Sequence, residues 1–344
     1  MVRPRTRGRT PIAIILVLLG YICYLHWTES SITTSSSPVN SLADIQITTE
    51  TKGWAKAGLP EISIYQRPLL PVPKEKMRVV VATMTTGQTT YDYISLSNKI
   101  GYVNKHNYAI KVDFALPKDF VPLPFWHKLD MFEYLVRTGD YDWIWWVDFD
   151  TVITNTTIKI EDIIADALRD EKNPDNIDLL LTSDCWPLNA GSMLLRATPR
   201  LLPFLSSVWK CGDAPKEPSE QDCIRDILNS SPQERSRAKW IAQKKMNSFP
   251  EEIGCYDSNN LPWSPGDFVI HFAGAWAHLK GKAKRDPYGV MMRKFHEWVD
   301  KTELSGTERY QVLGEGPDDK GRDENVVTVT VTETVSNSAP TAGA

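Results

Sequence analysis

The sequence has no excess of positive charge and contains few cysteines or histidines. Its 344 residues include 39 lysines and arginines against 43 aspartates and glutamates, and the formal net charge is −4 at pH 7. A chain without a basic excess lacks the attraction to phosphates on which general nucleic-acid binding depends, so we predict no nucleic-acid partner. The 5 cysteines and 6 histidines include no Cys-x-x-Cys pair and no zinc-site spacing. No internal repeat is visible.

Hydrophobic residues make up 42% of the chain and charged residues 24%, as in ordinary globular proteins. These proportions exclude a wholly disordered chain, a collagen-like repeat and a multi-span membrane protein. At about 100–200 residues per domain, the length predicts one large domain or two modest ones, with tails. The 12 tryptophans fit either stacking on sugar rings or a well-filled aromatic core.

The N-terminus combines a basic start with an apolar segment. Arginines crowd the predicted cytoplasmic tail at residues 1–10, and the next charged residue is Glu29. Residues 11–27 are almost entirely apolar, and as a helix they would span about 25 Å, which suits the thinner membranes of the early secretory pathway. A cleaved signal peptide is the alternative, but no small-x-small cleavage site follows. We therefore predict an uncleaved single-pass type II anchor, with the rest of the chain in the lumen.

Two segments of biased composition flank the body. Half of the 24 residues at 28–51 are Ser or Thr, and so few large apolar side chains cannot offset the entropy lost on ordering. We assign residues 28–76 to a flexible stem. Residues 306–344 are acidic and then rich in Thr, Val and Ser, which predicts a disordered tail; an edge strand at 326–331 is the alternative.

The cysteines and two sequons agree with a lumenal location. In an oxidising compartment four cysteines could form two disulfides, and the sequence leaves all three pairings open. Glycosylation acceptors at Asn155 and Asn229 add weaker support. The four cysteines of the body are Cys185, Cys211, Cys223 and Cys255.

The body, residues 77–305, alternates β-branched runs with segments of helical periodicity. Strands are predicted at 78–84, 110–114, 143–147, 177–181, 192–195 and 268–272, and helices at 93–108, 125–136, 201–209 and 221–228. Alternating strands and helices form βαβ units. We therefore predict an α/β fold with a Rossmann-like, mostly parallel central sheet flanked by helices.

The apolar strand WIWWV at 143–147 runs directly into Asp148-Phe-Asp150. In open α/β sheets, ligands bind beyond the carboxyl ends of the strands. Two carboxylates one residue apart offer the hard oxygen ligands that suit Mn²⁺ or Mg²⁺, which in turn can bridge the phosphates of a nucleotide. The alternative is that both aspartates only cap a turn.

A second apolar segment, GDFVIHFAG at 266–274, places His271 in or at the end of a strand and Gly274 just after it. The imidazole could supply a third metal ligand, and the glycine would let a diphosphate approach the backbone. A hydrogen-bonded core histidine is the alternative. Lys280 and Lys282 could contact phosphate, although a solvated basic loop is the alternative for at least one of them.

Five groups of motifs in the body resemble glycosyltransferase family 34, which comprises fungal α-1,2-galactosyltransferases and α-1,6-mannosyltransferases and plant xyloglucan xylosyltransferases. They occur in the family's order across residues 77–300. The motifs are SNKIGY (97–102) with HNY (106–108), WHKL (126–129) with YDWIWWVDFDT (141–151), LNAGSMLLR (188–196), EQD (220–222) and GDFVIHFAG (266–274).

This resemblance implies a GT-A fold, a Golgi type II anchor, a divalent metal and a nucleotide-sugar donor. Its implied metal ligands are Asp148, Asp150 and His271. Its implied nucleotide-sugar contacts are Thr83, Thr85, Asp148, Asn189, Ala190, Gly191, Gly274 and Lys280. Its implied catalytic residues, beside the sugar, the acceptor and the reacting carbon, are Asp184, Asn189, Glu220 and Gln221. Plant relatives tend to carry a lysine where this chain has Trp276, so the contact with phosphate and the choice of donor can differ here.

The implied reaction is transfer of a hexose, galactose or mannose, to glycoprotein glycans with retention of the anomeric configuration. The donor, UDP-galactose or GDP-mannose, stays open. Glu220 and Gln221 are candidates to flank the reacting face, and we favour front-side attack because glutamine is a poor nucleophile. The alternative for Ser219-Glu-Gln-Asp is a helix N-cap and first turn.

Two other functions compete with transfer. One is a non-catalytic scaffold subunit of a Golgi mannan-polymerase complex, and the other is a lumenal glycan-binding protein. Partners implied for an active enzyme are the nucleotide-sugar, the glycan acceptor, the membrane through the N-terminal helix and a hetero-oligomer with other Golgi glycosyltransferases.

Overall fold

The structure is a computed structural model that describes residues 45–50, 61–87, 89–114, 124–212 and 218–303, with two-residue strands at 311–312 and 329–330. The predicted cytoplasmic tail and anchor at 1–27 lie outside these ranges, as does most of the predicted tail at 306–344. Within these ranges, no helix has the length and apolar character needed to cross a bilayer.

The strands are short, and most of them join one sheet. They are β1 (Ile45–Glu50), β2 (Glu61–Gln66), β3 (Val79–Thr85), β4 (Ala109–Phe114), β5 (Trp143–Val147), β6 (Thr151–Ile153), β7 (Leu179–Thr182), β8 (Asn189–Arg196), β9 (Ala238–Trp240), β10 (Val269–His271), β11 (Gln311–Val312) and β12 (Val329–Thr330). The large sheet has the order β1-β2-β4-β3-β5-β8-β7-β9. Strands β4, β3 and β5 are parallel to one another, as are β7 and β9, and the other neighbours are antiparallel. The predicted parallel sheet is thus found at the centre, and antiparallel strands extend it on both sides.

Helices cover both faces of this sheet. They are α1 (Asp92–His106), α2 (His127–Thr138), α3 (Ile160–Leu168), α4 (Leu201–Gly212), α5 (Glu220–Asn229), α6 (Pro232–Ser236), α7 (Ala275–His278) and α8 (Pro287–Glu303). Successive side chains of a strand point to opposite faces. Accordingly, Trp146 joins the apolar core under α2, α4 and α5, whereas Trp145 joins the core under α1 and α3.

A small two-stranded sheet connects the end of β5 to the distant segment around residue 270. Strands β6 and β10 are antiparallel, with His271 opposite Thr151. The side chain of Asn98 on α1 holds β6 in place, because its amide donates to the carbonyl of Ile153 and its oxygen accepts from the amide of Ile153. This pairing brings residue 271 beside residues 148–150.

The structure corrects one predicted boundary. Residues 28–76 were assigned to a flexible stem, but β2 lies within that segment and pairs with β4 in the central sheet. Ile64 and Tyr65 are buried there, and the Tyr65 hydroxyl is hydrogen-bonded to that of Tyr141. A six-residue run that buries two large side chains on an existing sheet gains enough contact to be ordered, so the folded body begins before residue 77.

Two disulfides settle the pairing that the sequence left open. They join Cys185 to Cys255 and Cys211 to Cys223. The first links the loop after β7 to a segment 70 residues later, whereas the second spans only 12 residues and ties α4 to α5.

Removing the longer disulfide is expected to cost more stability. A cross-link lowers the entropy of the unfolded chain, and this effect grows with the logarithm of the number of residues in the closed loop. The expected stabilisation is about 4 kcal/mol for Cys185–Cys255 and about 3 kcal/mol for Cys211–Cys223. Urea unfolding of the paired Cys→Ser variants measures both values. An equal or smaller loss for Cys185→Ser/Cys255→Ser would contradict this order.

Candidate functional site

The aspartate pair lies at the carboxyl end of β5, the central strand whose residues are all buried. The backbone amide of Asp148 donates to the carbonyl of Gly191 at 2.7 Å, and the carbonyl of Asp150 accepts from Phe272 at 3.1 Å. The indole of Trp146 donates to Oδ1 of Asp148 at 2.8 Å. The backbones of both aspartates are therefore held by distant segments, and the Asp148 side chain is bound by Trp146.

His271 completes a group of three. Its Nε2 lies 3.5 Å from Oδ1 of Asp150 and 3.8 Å from Oδ2 of Asp148. Candidate ligand atoms of the three residues all lie within 4.8 Å of one another. His271 is only 2% exposed and packs edge-on against Phe249, but its Nε2 faces the two carboxylates. The sequence-predicted metal ligands are thus brought together.

The electrostatics of the group are those of a cation site. Burial lowers the pKa of His271, but the charges of Asp150 and Asp148 outweigh burial and raise this pKa above its ordinary value. Burial raises the pKa of Asp150, yet the charge and hydrogen bond of His271 leave this pKa below its ordinary value. The same attraction would hold a divalent cation, whose binding displaces protons from its ligands.

Asn247 orients His271 and was not predicted from the sequence. Its Oδ1 lies 2.8 Å from Nδ1 of His271, and its amide donates to Oγ1 of Thr182 and Oδ1 of Asn189, both at 2.9 Å. Because the amide nitrogen is engaged by two acceptors, the oxygen faces the imidazole and fixes a proton on Nδ1. Nε2 is then the nitrogen that faces the carboxylates, and it can bind a metal ion once it gives up its proton.

Replacing Asn247 with leucine should weaken Mn²⁺ binding by roughly 10–100-fold, because partners of this kind orient metal-binding histidines. Asn247→Asp retains an acceptor for Nδ1 and should lose less. Isothermal titration with Mn²⁺ measures both affinities. If Asn247→Leu binds Mn²⁺ as tightly as the wild type, the orientation of His271 does not depend on this contact.

The start of β8 lies against Asp148, Asp150 and His271, which are called the triad below. Asn189 Nδ2 donates to Oδ2 of Asp184 at 2.8 Å, and Asn189 Oδ1 accepts from the amide of Gly191 at 2.9 Å. Burial raises the pKa of Asp184. With Asn247, these contacts form a continuous hydrogen-bonded chain from His271 to Asp184. The structure thus joins the predicted sugar-side residues to the predicted metal ligands.

Gly191 is required by close packing. A Cβ at this position would lie 2.2 Å from Cε1 of His271 and 2.9 Å from Oδ2 of Asp148. Any larger residue would therefore intrude on two of the three candidate ligands.

The EQD motif forms the first turn of α5. Ser219 Oγ accepts from the amide of Asp222, so Ser219 is the N-cap and the alternative interpretation holds for this part of the motif. Gln221 nevertheless reaches the site, because its Oε1 accepts from the amide of Ala190 at 2.8 Å. Glu220 is 6% exposed and pairs with Lys128, whose Nζ lies 2.8 Å away.

A second unpredicted residue, Lys99 on α1, supports the turn between β5 and β6. Its Nζ donates to Oγ of Ser95 at 2.9 Å and to the carbonyl of Thr151 at 3.1 Å. The side chain is fully buried, and desolvation lowers its pKa to about 7. Lys99 lies within the SNKIGY motif, but nothing in the sequence indicates that its amine supports this turn.

For the remaining predicted contacts, the described residues show no hydrogen bond or ion pair to Asp148, Asp150 or His271. Thr83 and Thr85 are buried on β3, the parallel neighbour of β5, and Oγ1 of Thr83 has no hydrogen-bond partner within the described ranges. Gly274 has a φ of 67°, which favours glycine, and begins the turn into α7. Lys280 is exposed, and no described contact joins it to the triad. For Lys282, only its place in the turn at Gly281–Arg285 is described.

Residues 75–281 match the profile of the galactosyl transferase GMA12/MNN10 family. The chain belongs to this family. The match spans most of the folded body and confirms the family that the five groups of motifs indicated.

Fungal and plant members of the family are similar to this chain. It is 26% identical over 238 residues to the probable alpha-1,2-galactosyltransferase gmh2 of Schizosaccharomyces pombe (strain 972 / ATCC 24843), covering 58% of this chain and 66% of that protein. It is 27% identical over 249 residues to the probable alpha-1,6-mannosyltransferase MNN10 of Saccharomyces cerevisiae (strain ATCC 204508 / S288c), covering 60% and 62%. The chain thus spans slightly less than two thirds of these fungal relatives.

A plant protein and a viral structure are similar over comparable parts of the chain. The probable xyloglucan 6-xylosyltransferase 5 of Arabidopsis thaliana is 33% identical over 216 residues, covering 59% of this chain and 42% of that protein. The crystal structure of a glycosyltransferase involved in the glycosylation of the major capsid of PBCV-1 superposes with a TM-score of 0.47 at 16% identity, covering 62% of this chain and 99% of that one.

Proposed function

We propose that this family member is a metal-dependent, retaining hexosyltransferase of the GT-A type that uses a nucleotide-sugar donor. The observation that carries the proposal is the convergence of Asp148, Asp150 and His271 at the carboxyl end of a central parallel strand. Ligand binding beyond this edge is the rule for α/β sheets. A purely structural protein has no need to gather two partly buried carboxylates around a buried imidazole.

The residues present fit Mn²⁺ or Mg²⁺. Two carboxylates and one imidazole form a donor set that suits Mn²⁺, and Asn247 prepares the imidazole for coordination. Asp148, Asp150 and His271 would hold the ion. When bound, the ion supplies Lewis-acid stabilisation of the departing diphosphate.

The protein groups around the ion favour front-side attack over a covalent intermediate. Glu220 is already ion-paired with Lys128, which lowers its strength as a nucleophile. Gln221 is an amide and is engaged by Ala190. Asp184 and Asn189 would bind sugar or acceptor hydroxyls, and Thr83 and Thr85 would lie near the nucleotide. Gly274 and Lys280 would approach the diphosphate from the side of β10.

The site of action that we propose is the Golgi lumen. The basic start and the apolar segment at 11–27 support a type II anchor, and two disulfides suit an oxidising compartment. Glycoprotein glycans as acceptors, and a hetero-oligomer with other Golgi glycosyltransferases, belong to the same proposal.

The donor can be identified by thermal unfolding of the full-length chain with Mn²⁺ and UDP-galactose, GDP-mannose or a CMP-sugar. A ligand at about 100 times its Kd stabilises the folded state by about 2.7 kcal/mol. We expect one of the first two donors to raise the Tm, and the same donor to be hydrolysed slowly with Mn²⁺. Donor binding without hydrolysis or transfer would instead indicate a scaffold subunit. Glycan binding that needs neither nucleotide nor metal would indicate a glycan-binding protein.

A further inference from the structure

Lys128 stands at the junction of the three elements that build the site. It is the second residue of α2 and is 3% exposed. Its Nζ lies 2.8 Å from Oε1 of Glu220, 3.4 Å from the carbonyl of Ala190 and 3.9 Å from Oδ1 of Asp148. One ammonium therefore touches the starts of α5 and β8 and faces the end of β5.

The contacts of Asp148 divide between its two oxygens. Oδ1 accepts from Trp146 and faces Lys128, whereas Oδ2 faces His271. Oδ1 of Asp148 is thus engaged by the indole of Trp146 and faces the ammonium of Lys128, and Oδ2 is the oxygen that would remain for a metal ion.

The charge of Lys128 is balanced by Glu220. A buried charge is costly unless it is paired, and Glu220 is the nearest carboxylate. While Glu220 is charged, it largely neutralises the ammonium of Lys128, so a cation near Asp148 is repelled only weakly. If a substitution removes the charge of Glu220, the ammonium of Lys128 is no longer neutralised and repels a cation bound at Asp148.

From this geometry we propose that Lys128 is a positioning residue that couples the candidate metal ligand Asp148 to Glu220 at the start of α5. The inference rests on the proposed function and deepens it. Lys128 fixes the orientation of Asp148 on one side and the first turn of α5, with Gln221, on the other. Sugar transfer then requires both Lys128 and Glu220. Metal affinity falls when only Lys128 is charged and rises when only Glu220 is charged.

The test is Mn²⁺ affinity of the full-length chain by isothermal titration, with transfer rates measured alongside. Glu220→Gln should bind Mn²⁺ at least threefold more weakly, and Lys128→Met at least threefold more tightly, although both should transfer sugar at least tenfold more slowly. The double variant Lys128→Met/Glu220→Gln should return to within twofold of the wild-type affinity while remaining slow. Lys128→Arg keeps the charge and should recover part of the rate.

The matched control is Lys111→Met, which removes another buried lysine paired with a carboxylate, Asp113 at 2.6 Å. It should leave the Mn²⁺ affinity unchanged whatever it costs in stability. If Lys128→Met does not fold, Glu220→Gln and Lys128→Arg test the coupling instead. Weaker Mn²⁺ binding is expected in Glu220→Gln and not in Lys128→Arg.

The outcomes separate the inference from the function on which it rests. A wild-type chain that binds no Mn²⁺ overturns both. A wild type that binds, with Glu220→Gln and Lys128→Met weakened alike or both unchanged, overturns the coupling alone. Opposite shifts in the two variants, cancelled in the double variant, support it.

Discussion

Replacing Asp150 with alanine is expected to abolish Mn²⁺ binding and to lower metal-dependent sugar transfer on the order of 10³-fold. Loss of one of three ligands removes several kcal/mol of charge stabilisation at the departing diphosphate, and each 1.4 kcal/mol is a factor of about ten in rate. The fold should survive, because Asp150 lies in the turn after the carboxyl end of β5 and its replacement leaves β5 intact. Isothermal titration and donor hydrolysis measure the two effects.

Asp140→Ala provides the control for this substitution. Asp140 is an exposed aspartate before the other end of β5, and its only described ion pair, with Arg67, is exposed. This variant should bind Mn²⁺ normally. Full activity of Asp150→Ala in the presence of a chelator would refute the role of the metal.

Gly191→Ala should damage the site more than the addition of one methyl group suggests. The new Cβ would meet His271 and Asp148 at distances that real contacts do not allow. Relief requires movement of the imidazole, which Asn247 holds, or of the carboxylate, which Trp146 holds. We expect Mn²⁺ affinity to fall at least tenfold, transfer to fall about 100-fold, and stability to fall by about 1–3 kcal/mol.

Gly101→Ala separates a local effect from a general one. Gly101 lies within α1, and a Cβ there would have nothing within 4 Å. Alanine is favoured over glycine in a helix by about 1 kcal/mol, so this variant should be at least as stable as wild type and bind Mn²⁺ normally. If Gly191→Ala kept wild-type affinity, the packing of β8 against the triad would be looser than described.

The parts of the fold that the sequence predicted well are those that local pattern determines. Short β-branched or aromatic runs such as RVVVATM and WIWWV favour buried strands, and they form the central strands β3 and β5. The aspartates were found because they follow such a strand directly. His271 is the last residue of another apolar strand, β10, and the antiparallel pairing of β6 with β10 places it beside them.

What the sequence could not supply depends on contacts between distant segments. Strand β2 has a weak local signal and is ordered by pairing with β4. The helices α3 and α8 were not predicted, because their amphipathic faces gain stability only from the cores under which they pack. Asn247 lies in none of the motifs, and the WHKL motif that contains Lys128 does not reveal its contacts, since each of the two residues acts through partners far away in the chain.

The tryptophans of β5 also provide an optical signal. The indole of Trp146 donates to Oδ1 of Asp148, so its electronic surroundings change whenever the charge on that carboxylate is neutralised. Mn²⁺ is paramagnetic and would quench the emission of an indole so close to it, whereas Mg²⁺ would shift the emission without that loss. Tryptophan emission is therefore expected to report occupancy of the proposed metal site.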